Sequence, residues 1–195
     1  MLENLSKYTI ILASNSPRRR ELLAGLDIDF EVKTIPGIEE SFPKTLSKEE
    51  IPVFLAKQKA HAYQKYLKEN TLLITADTIV WIEGGVYNKP ENEQEAKEML
   101  QILSGKTHEV ITGVCLTGLK KQQTFHVSSQ VKFAELQEDE IDYYVKKYKP
   151  YDKAGAYGVQ EWIGYIGVEK IDGSFYNVMG LPARVLYTYL KEWDS

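Results

Sequence analysis

Strand-like apolar runs alternate with helix-periodic segments along this chain, a pattern compatible with an α/β fold. Two stretches carry most of that reading. Residues 10–13 are apolar and are followed by a small polar turn and Pro17, which reads as strand, loop and helix in succession. Residues 72–82 form a long, almost wholly apolar strand with one carboxylate, Asp77, near the middle. The alternation leaves strand order and sheet shape open.

Length and composition bound the rest. A chain of 195 residues can bury a full core and reads as one domain, 1–195. A hydrophobic fraction of 43% with 27% charged residues is that of an ordinary globular protein. The net charge of -4 provides no general field for nucleic acid, so any basic site must be local and no stable nucleic-acid partner is expected. Cys115 is the only cysteine, which excludes an internal disulfide and fits a reducing compartment. The opening residues do not read as a basic-then-apolar leader, and no apolar run is long enough to span a bilayer. The chain reads as cytoplasmic, without a membrane partner.

In order, Ser16 is the expected N-cap of the first helix, with Pro17 at its first position. Arg18, Arg19 and Arg20 crowd the end of a helix where acids are normally favoured, which points to a polyanionic ligand. A solvated basic turn paired with surface acids is the alternative. Residues 27–32 alternate like a strand and lead into a loop with Pro36, Gly37, Glu39, Glu40 and Pro43. A helix is expected over 52–69, with Val53, Ala56, Ala60, Tyr63 and Leu67 as its buried stripe.

Asp77 lies inside the apolar strand, where an ionised carboxylate needs a partner, a metal or a cleft; a buried Asp capping a turn is the structural alternative. Residues 83–86 read as a hairpin turn, and Asn92 as the cap of a helix with Ala96, Met99, Leu100 and Leu103 inward. Residues 104–107 look like the tail of a P-loop, but Leu100 stands where a P-loop needs glycine and a helix precedes them. His108 has no second histidine at zinc spacing and reads as a hydrogen-bonded structural residue. Residues 107–119 and 124–133 look like paired strands, and 138–147 like a helix with Ile141, Tyr144, Val145 and Tyr148 inward. The glycine-rich stretch 152–160 beside a charged pair suits a ligand wall.

Several of these pieces together resemble the Maf family of nucleoside triphosphate pyrophosphatases, which shares a superfamily with the inosine triphosphate pyrophosphatases. They are the opening 12–23, Ala56-Lys57-Gln58-Lys59-Ala60, Ala76-Asp77-Thr78-Ile79-Val80 and Lys89-Pro90. Ser104, Gly105, His108, Val110, Thr112, Gly113 and Val114 follow in order, then 152–160 and 173–182. The main departure is Glu161, where the family usually has glycine, next to the base-facing position.

The resemblance implies an elongated mixed β-sheet flanked by helices, with two lobes around a central cleft, and a homodimer. It implies water attack on the α-phosphorus of a nucleoside triphosphate, with Asp77 as proton acceptor and with Glu40 and Asp77 as carboxylates for a divalent cation, Mg2+ or Mn2+. Ser14, Ser16, Arg19, Lys59, Lys89 and Lys153 become the phosphate-binding set. Arg18, Thr78 and Gln160 match the marks of the subgroup acting on dTTP and UTP, and the amide of Gln160 offers a donor and an acceptor to the uracil edge. Two other readings stay open: a pyrophosphatase for 7-methyl-GTP or other noncanonical nucleotides, and a non-catalytic nucleotide-binding regulator of septum formation.

Overall fold

The computed structural model describes residues 2–193. Strand β1 (Thr9–Leu12) pairs in parallel with β2 (Glu31–Val32) and β3 (Thr71–Ile82), in the register Ile11↔Glu31 and Thr9↔Thr71. Helix α1 (Pro17–Ala24) joins β1 to β2, and α2 (Glu50–Ala62) precedes β3. β3 folds back on β4 (Gly85–Tyr87) through a tight turn in which Glu83 and Gly84 both have positive φ. That is the turn chemistry two-residue hairpins need. Then follow α3 (Glu93–Leu103), β5 (Thr107–Thr117), β6 (Gln122–Phe133) and α4 (Glu138–Tyr148). The chain ends with α5 (Trp162–Gly167), β7 (Val168–Asp172), α6 (Phe175–Met179) and α7 (Ala183–Lys191).

The mixed seven-stranded sheet runs in the order β2-β1-β3-β5-β6-β7, with β4 on β3 and β7 antiparallel to β6. All but two residues of β3 are buried. A near-continuous apolar run is what a strand covered on both faces requires. The chain divides into two compact units. One holds the residues up to Asp77, Thr112–Val127 and those from Gly180 on; the other holds Thr78–Ile111 and Ser128–Met179. None of the helices among the described residues is long and apolar enough to cross a membrane.

Most elements lie where the sequence places them, and the differences have local causes. The alternation over 27–32 survives as half-buried Ile28 and Phe30, but only Glu31 and Val32 pair as a strand. Asp27 is in the left-handed region with φ 53° and bends the chain away from the extended path. The helix expected over 52–69 starts earlier and ends at Ala62, continuing as a short 3-10 turn over Gln64–Tyr66. That turn still packs Leu67 against the core of Ile11, Ala56, Ala60, Tyr63 and Leu73, so the periodicity outlasts the α-helix. The β5–β6 turn closes at Gly118–Lys121, just ahead of the expected place, through the Gly118 N–H donating to Lys121 O at 2.8 Å. The short elements α5, β7 and α6 carry too few periodic residues to be read in advance.

The caps are local and match. Asn92 accepts the Glu95 N–H at 2.9 Å and starts α3. Asn92→Ala is expected to cost about 1 kcal/mol, the usual value of an N-cap, read as a lower midpoint in urea with an unchanged slope.

Candidate active site

Successive residues of a strand face opposite sides, so Thr75 and Asp77 share one face of β3. Fully buried Thr75 donates its hydroxyl to Ala56 O of α2 at 2.8 Å. About one helical turn farther along α2, Lys59 donates to Asp77 Oδ1. The same ammonium lies 2.9 Å from Glu40 Oε1. Asp77 is thus a buried carboxylate paired with a cation, as its place in an apolar strand demands. The approach of α2 to the sheet depends on small residues: Ala56 and Ala60 are buried, and a Cβ on Gly113 of β5 would lie 2.3 Å from the Pro52 backbone.

The loop carrying Glu40 is anchored by Tyr63 at the end of α2. Its hydroxyl accepts the Ile35 N–H at 2.9 Å and donates to Lys33 O at 3.0 Å.

Between β1 and α1 the loop is held by its own serines. Buried Ser14 accepts the Ser16 N–H at 3.2 Å, and Ser16 accepts the Arg19 N–H at 3.4 Å as N-cap of α1. Accepting a backbone N–H leaves each hydroxyl its own proton to donate. Arg19 donates from Nε to Gly180 O at 2.8 Å. Burial holds its guanidinium below the ordinary arginine value, Arg18 acts in the same direction, and Asp77 and Glu40 oppose them. Arginine stays charged through such a shift. Arg19, Glu40, Lys59 and Asp77 therefore form one electrostatic group in the first unit, at a helix N-terminus whose first turn carries no acid.

The other predicted residues belong to the second unit. Thr78 follows Asp77 on β3 and is half-buried. Lys89 is exposed in the segment after β4, next to Asn88, whose carbonyl accepts the Gly155 N–H at 3.1 Å. Lys153 is buried, and its ammonium lies 2.7 Å from Asp152 Oδ1 and 3.0 Å from Glu161 Oε1. A lysine named from sequence as a phosphate contact thus already has two carboxylates on it. Gln160 is half-buried, and its Oε1 is buried without a hydrogen-bond partner among the described residues. Sequence reasoning did not find Tyr144 as a polar residue: from α4 its hydroxyl donates to Glu161 Oε2 and accepts the Gly158 N–H at 3.0 Å. Burial, then Glu161, push that hydroxyl far above the usual tyrosine range. Its helical spacing marks it only as an inward residue.

His108 is structural in its surroundings. It is buried, its Nε2 lies 2.7 Å from the Tyr157 hydroxyl, and it meets Phe133 edge-on. Burial pushes its pKa down to about 4. Unfolded, the imidazole titrates near about 6.5. The unfolded chain therefore binds the extra proton first as pH falls, so this group's stability contribution is complete above about 6.5 and is lost toward about 4. Unfolding free energy measured across that range is expected to fall more steeply with acid in the native sequence than in His108→Gln, by up to about 1.4 kcal/mol per pH unit. Parallel profiles would remove His108 as the cause. Cys115, buried in the core, has its thiol pushed up by burial and is no nucleophile.

The family model described as Maf-like protein matches residues 9–193. A protein of Phocaeicola vulgatus named dTTP/UTP pyrophosphatase is 62% identical over 192 residues, covering 98% of this chain and 100% of its own. Another of that name, from Porphyromonas gingivalis, is 54% identical over 197 residues, covering 100% of this chain and 99% of its own. Among solved structures, the Staphylococcus aureus Ham1 protein superposes with a TM-score of 0.55 at 19% identity, covering 95% of this chain and 100% of its own. A HAM1 protein from Coxiella burnetii gives 0.51 at 18% identity, covering 95% and 99%. At those identities the structural likeness speaks for the fold alone.

Proposed function

The chain belongs to the Maf family, and we propose that it is a nucleoside triphosphate pyrophosphatase that hydrolyses dTTP and UTP to the monophosphate and pyrophosphate, clearing nucleotide pools. The observation that carries the chemistry is the grouping of Lys59 on Asp77 and Glu40 beside Arg19. The names of the full-length relatives support the substrate.

In this reading Asp77 orients and deprotonates the attacking water. A new bond forms from the water oxygen to the α-phosphorus, and the bond from that phosphorus to the bridging oxygen of the β-phosphate breaks. Pyrophosphate leaves with the electron pair, and the proton goes to Asp77. Arg19 and Lys59 take the charge that develops on the phosphate oxygens, and Ser14 and Ser16 donate to them. Lys89 and Lys153 are assigned phosphate oxygens as well, Lys153 through the one ammonium proton its two carboxylates leave. Arg18, Thr78 and Gln160 are assigned pyrimidine selection.

Among the described residues no group of three or more His, Cys, Asp or Glu could hold a metal ion. Two carboxylates, Glu40 and Asp77, fit a hard cation that arrives with a triphosphate, since magnesium commonly takes one or two carboxylates and completes its shell with phosphate and water. Mg2+ or Mn2+ bound there would neutralise phosphate charge. A homodimer and a cytoplasmic place of action belong to the same reading, and sedimentation equilibrium tests the first.

The deciding experiment incubates purified protein and magnesium with dTTP, UTP, CTP, GTP, ITP and 7-methyl-GTP and resolves the products by chromatography. Release of dTMP and UMP with pyrophosphate is expected. Faster hydrolysis of 7-methyl-GTP would overturn the substrate assignment.

A further inference from the structure

Gln160 sits between two residues that a single hydroxyl holds. Tyr144 accepts the backbone N–H of Gly158 at 3.0 Å and donates to the side chain of Glu161, so the chain is tied to one atom of α4 both before and after Gln160. That atom is itself fixed. Tyr144 is fully buried, with its ring stacked on Tyr148 at 5.1 Å, on a helix that packs against α3.

Glu161 is tied a second time by its other oxygen, 3.0 Å from Lys153 Nζ. Its backbone N–H closes the turn onto Gly158 O at 2.9 Å, and its carbonyl accepts the Gly164 N–H at 2.8 Å to begin α5. There is no room for slack: a Cβ on Gly158 would lie 2.8 Å from Glu161 Cδ and 3.0 Å from Lys153 Cε. Gln160 Oε1 is buried with no hydrogen-bond partner among the described residues. A buried acceptor left unpaired is costly, and a ligand that donates to it recovers the loss.

We propose that Tyr144 and Glu161 are positioning residues for Gln160 and thereby set the enzyme's choice between uracil and cytosine. The inference rests on the pyrophosphatase reading above and deepens it. The chemistry is a matter of donors and acceptors. Uracil and thymine present an N–H at N3, which an amide oxygen accepts; cytosine presents a lone pair there, which the same oxygen repels. Such discrimination is strong only when the reading group is held in place, since a displaced amide pairs poorly with either base. Two ties to α4 hold the Gln160 backbone, and the Lys153–Glu161 pair keeps the second tie from swinging away.

The test is the ratio of kcat/KM for UTP to that for CTP, measured on native protein, Tyr144→Phe, Glu161→Ala and Glu161→Gln. A ratio taken on one preparation does not depend on the fraction of folded enzyme, so partial misfolding of a variant cannot mimic the result. The ratio is expected to fall about 10-fold or more in Tyr144→Phe and Glu161→Ala. Glu161→Gln keeps one acceptor oxygen, enough for Tyr144 but not for Lys153 as well, so its ratio should lie between those of Glu161→Ala and native protein. If UTP and CTP turnover fall together, leaving the ratio unchanged, the pair is merely structural and the proposal is overturned. A native ratio near one overturns it as well. If native protein hydrolyses neither nucleotide, the pyrophosphatase reading fails first and takes this inference with it.

Discussion

Replacing Asp77 with asparagine is expected to lower kcat on dTTP and UTP by about 100- to 10,000-fold, the range a positioned general base contributes. The substitution is mild in every other respect. Asparagine keeps the shape of the side chain, and its amide oxygen can still accept from Lys59, which now donates to Asp77 Oδ1. Lys59 also keeps Glu40 at 2.9 Å, so the ammonium is not stranded without a carboxylate. The thermal midpoint should therefore move little while turnover collapses. What is lost is the ability to take a proton from water. Steady-state kinetics beside a melting curve separates the two, and near-native turnover in a folded variant would remove Asp77 from the proton-acceptor role.

The largest stability loss is expected from a residue that carries no functional group. Gly113→Ala would place a Cβ 2.3 Å from the carbonyl carbon of Pro52 and from the nitrogen of Val53, both of them backbone atoms. A flexible side chain could swing aside, but the first turn of α2 cannot move without dragging the whole helix. Overpacking of this kind costs about 3 kcal/mol, or about 6–12 °C in Tm for a chain of this size. Activity should suffer too, because α2 carries Lys59 and the Ala56 carbonyl that Thr75 holds. A Tm within about 2 °C of native would show that α2 docks less tightly than this contact requires.

These two residues differ in how far they could be read from the chain. Asp77 was conspicuous because an acid inside an apolar strand must be paired or functional, and that argument needs only its neighbours in sequence. The Ser16–Pro17 start of α1 and the Asn92 cap of α3 were legible for the same reason, since a cap acts within three residues. The family motifs carried the substrate class and named Gln160. Gly113 could be matched to a motif, but its reason lies in a helix start about sixty residues earlier in the chain. The spacing of Tyr144 marks it as inward, which its burial bears out, yet nothing local shows the hydroxyl contact with Glu161.

The local part is legible in the chain: the α/β alternation, the helix ends, the acid in the buried strand and the kinship of its motifs. Tertiary structure alone decided which charges meet. It put Lys59 between Asp77 and Glu40, brought Arg19 to Gly180, closed Glu161 on Lys153, and tied the chain on either side of Gln160 to Tyr144. The physical reason is one of range. Backbone propensity and capping act within a turn or two of the chain, whereas a salt bridge between distant residues forms only after packing has brought their elements within reach.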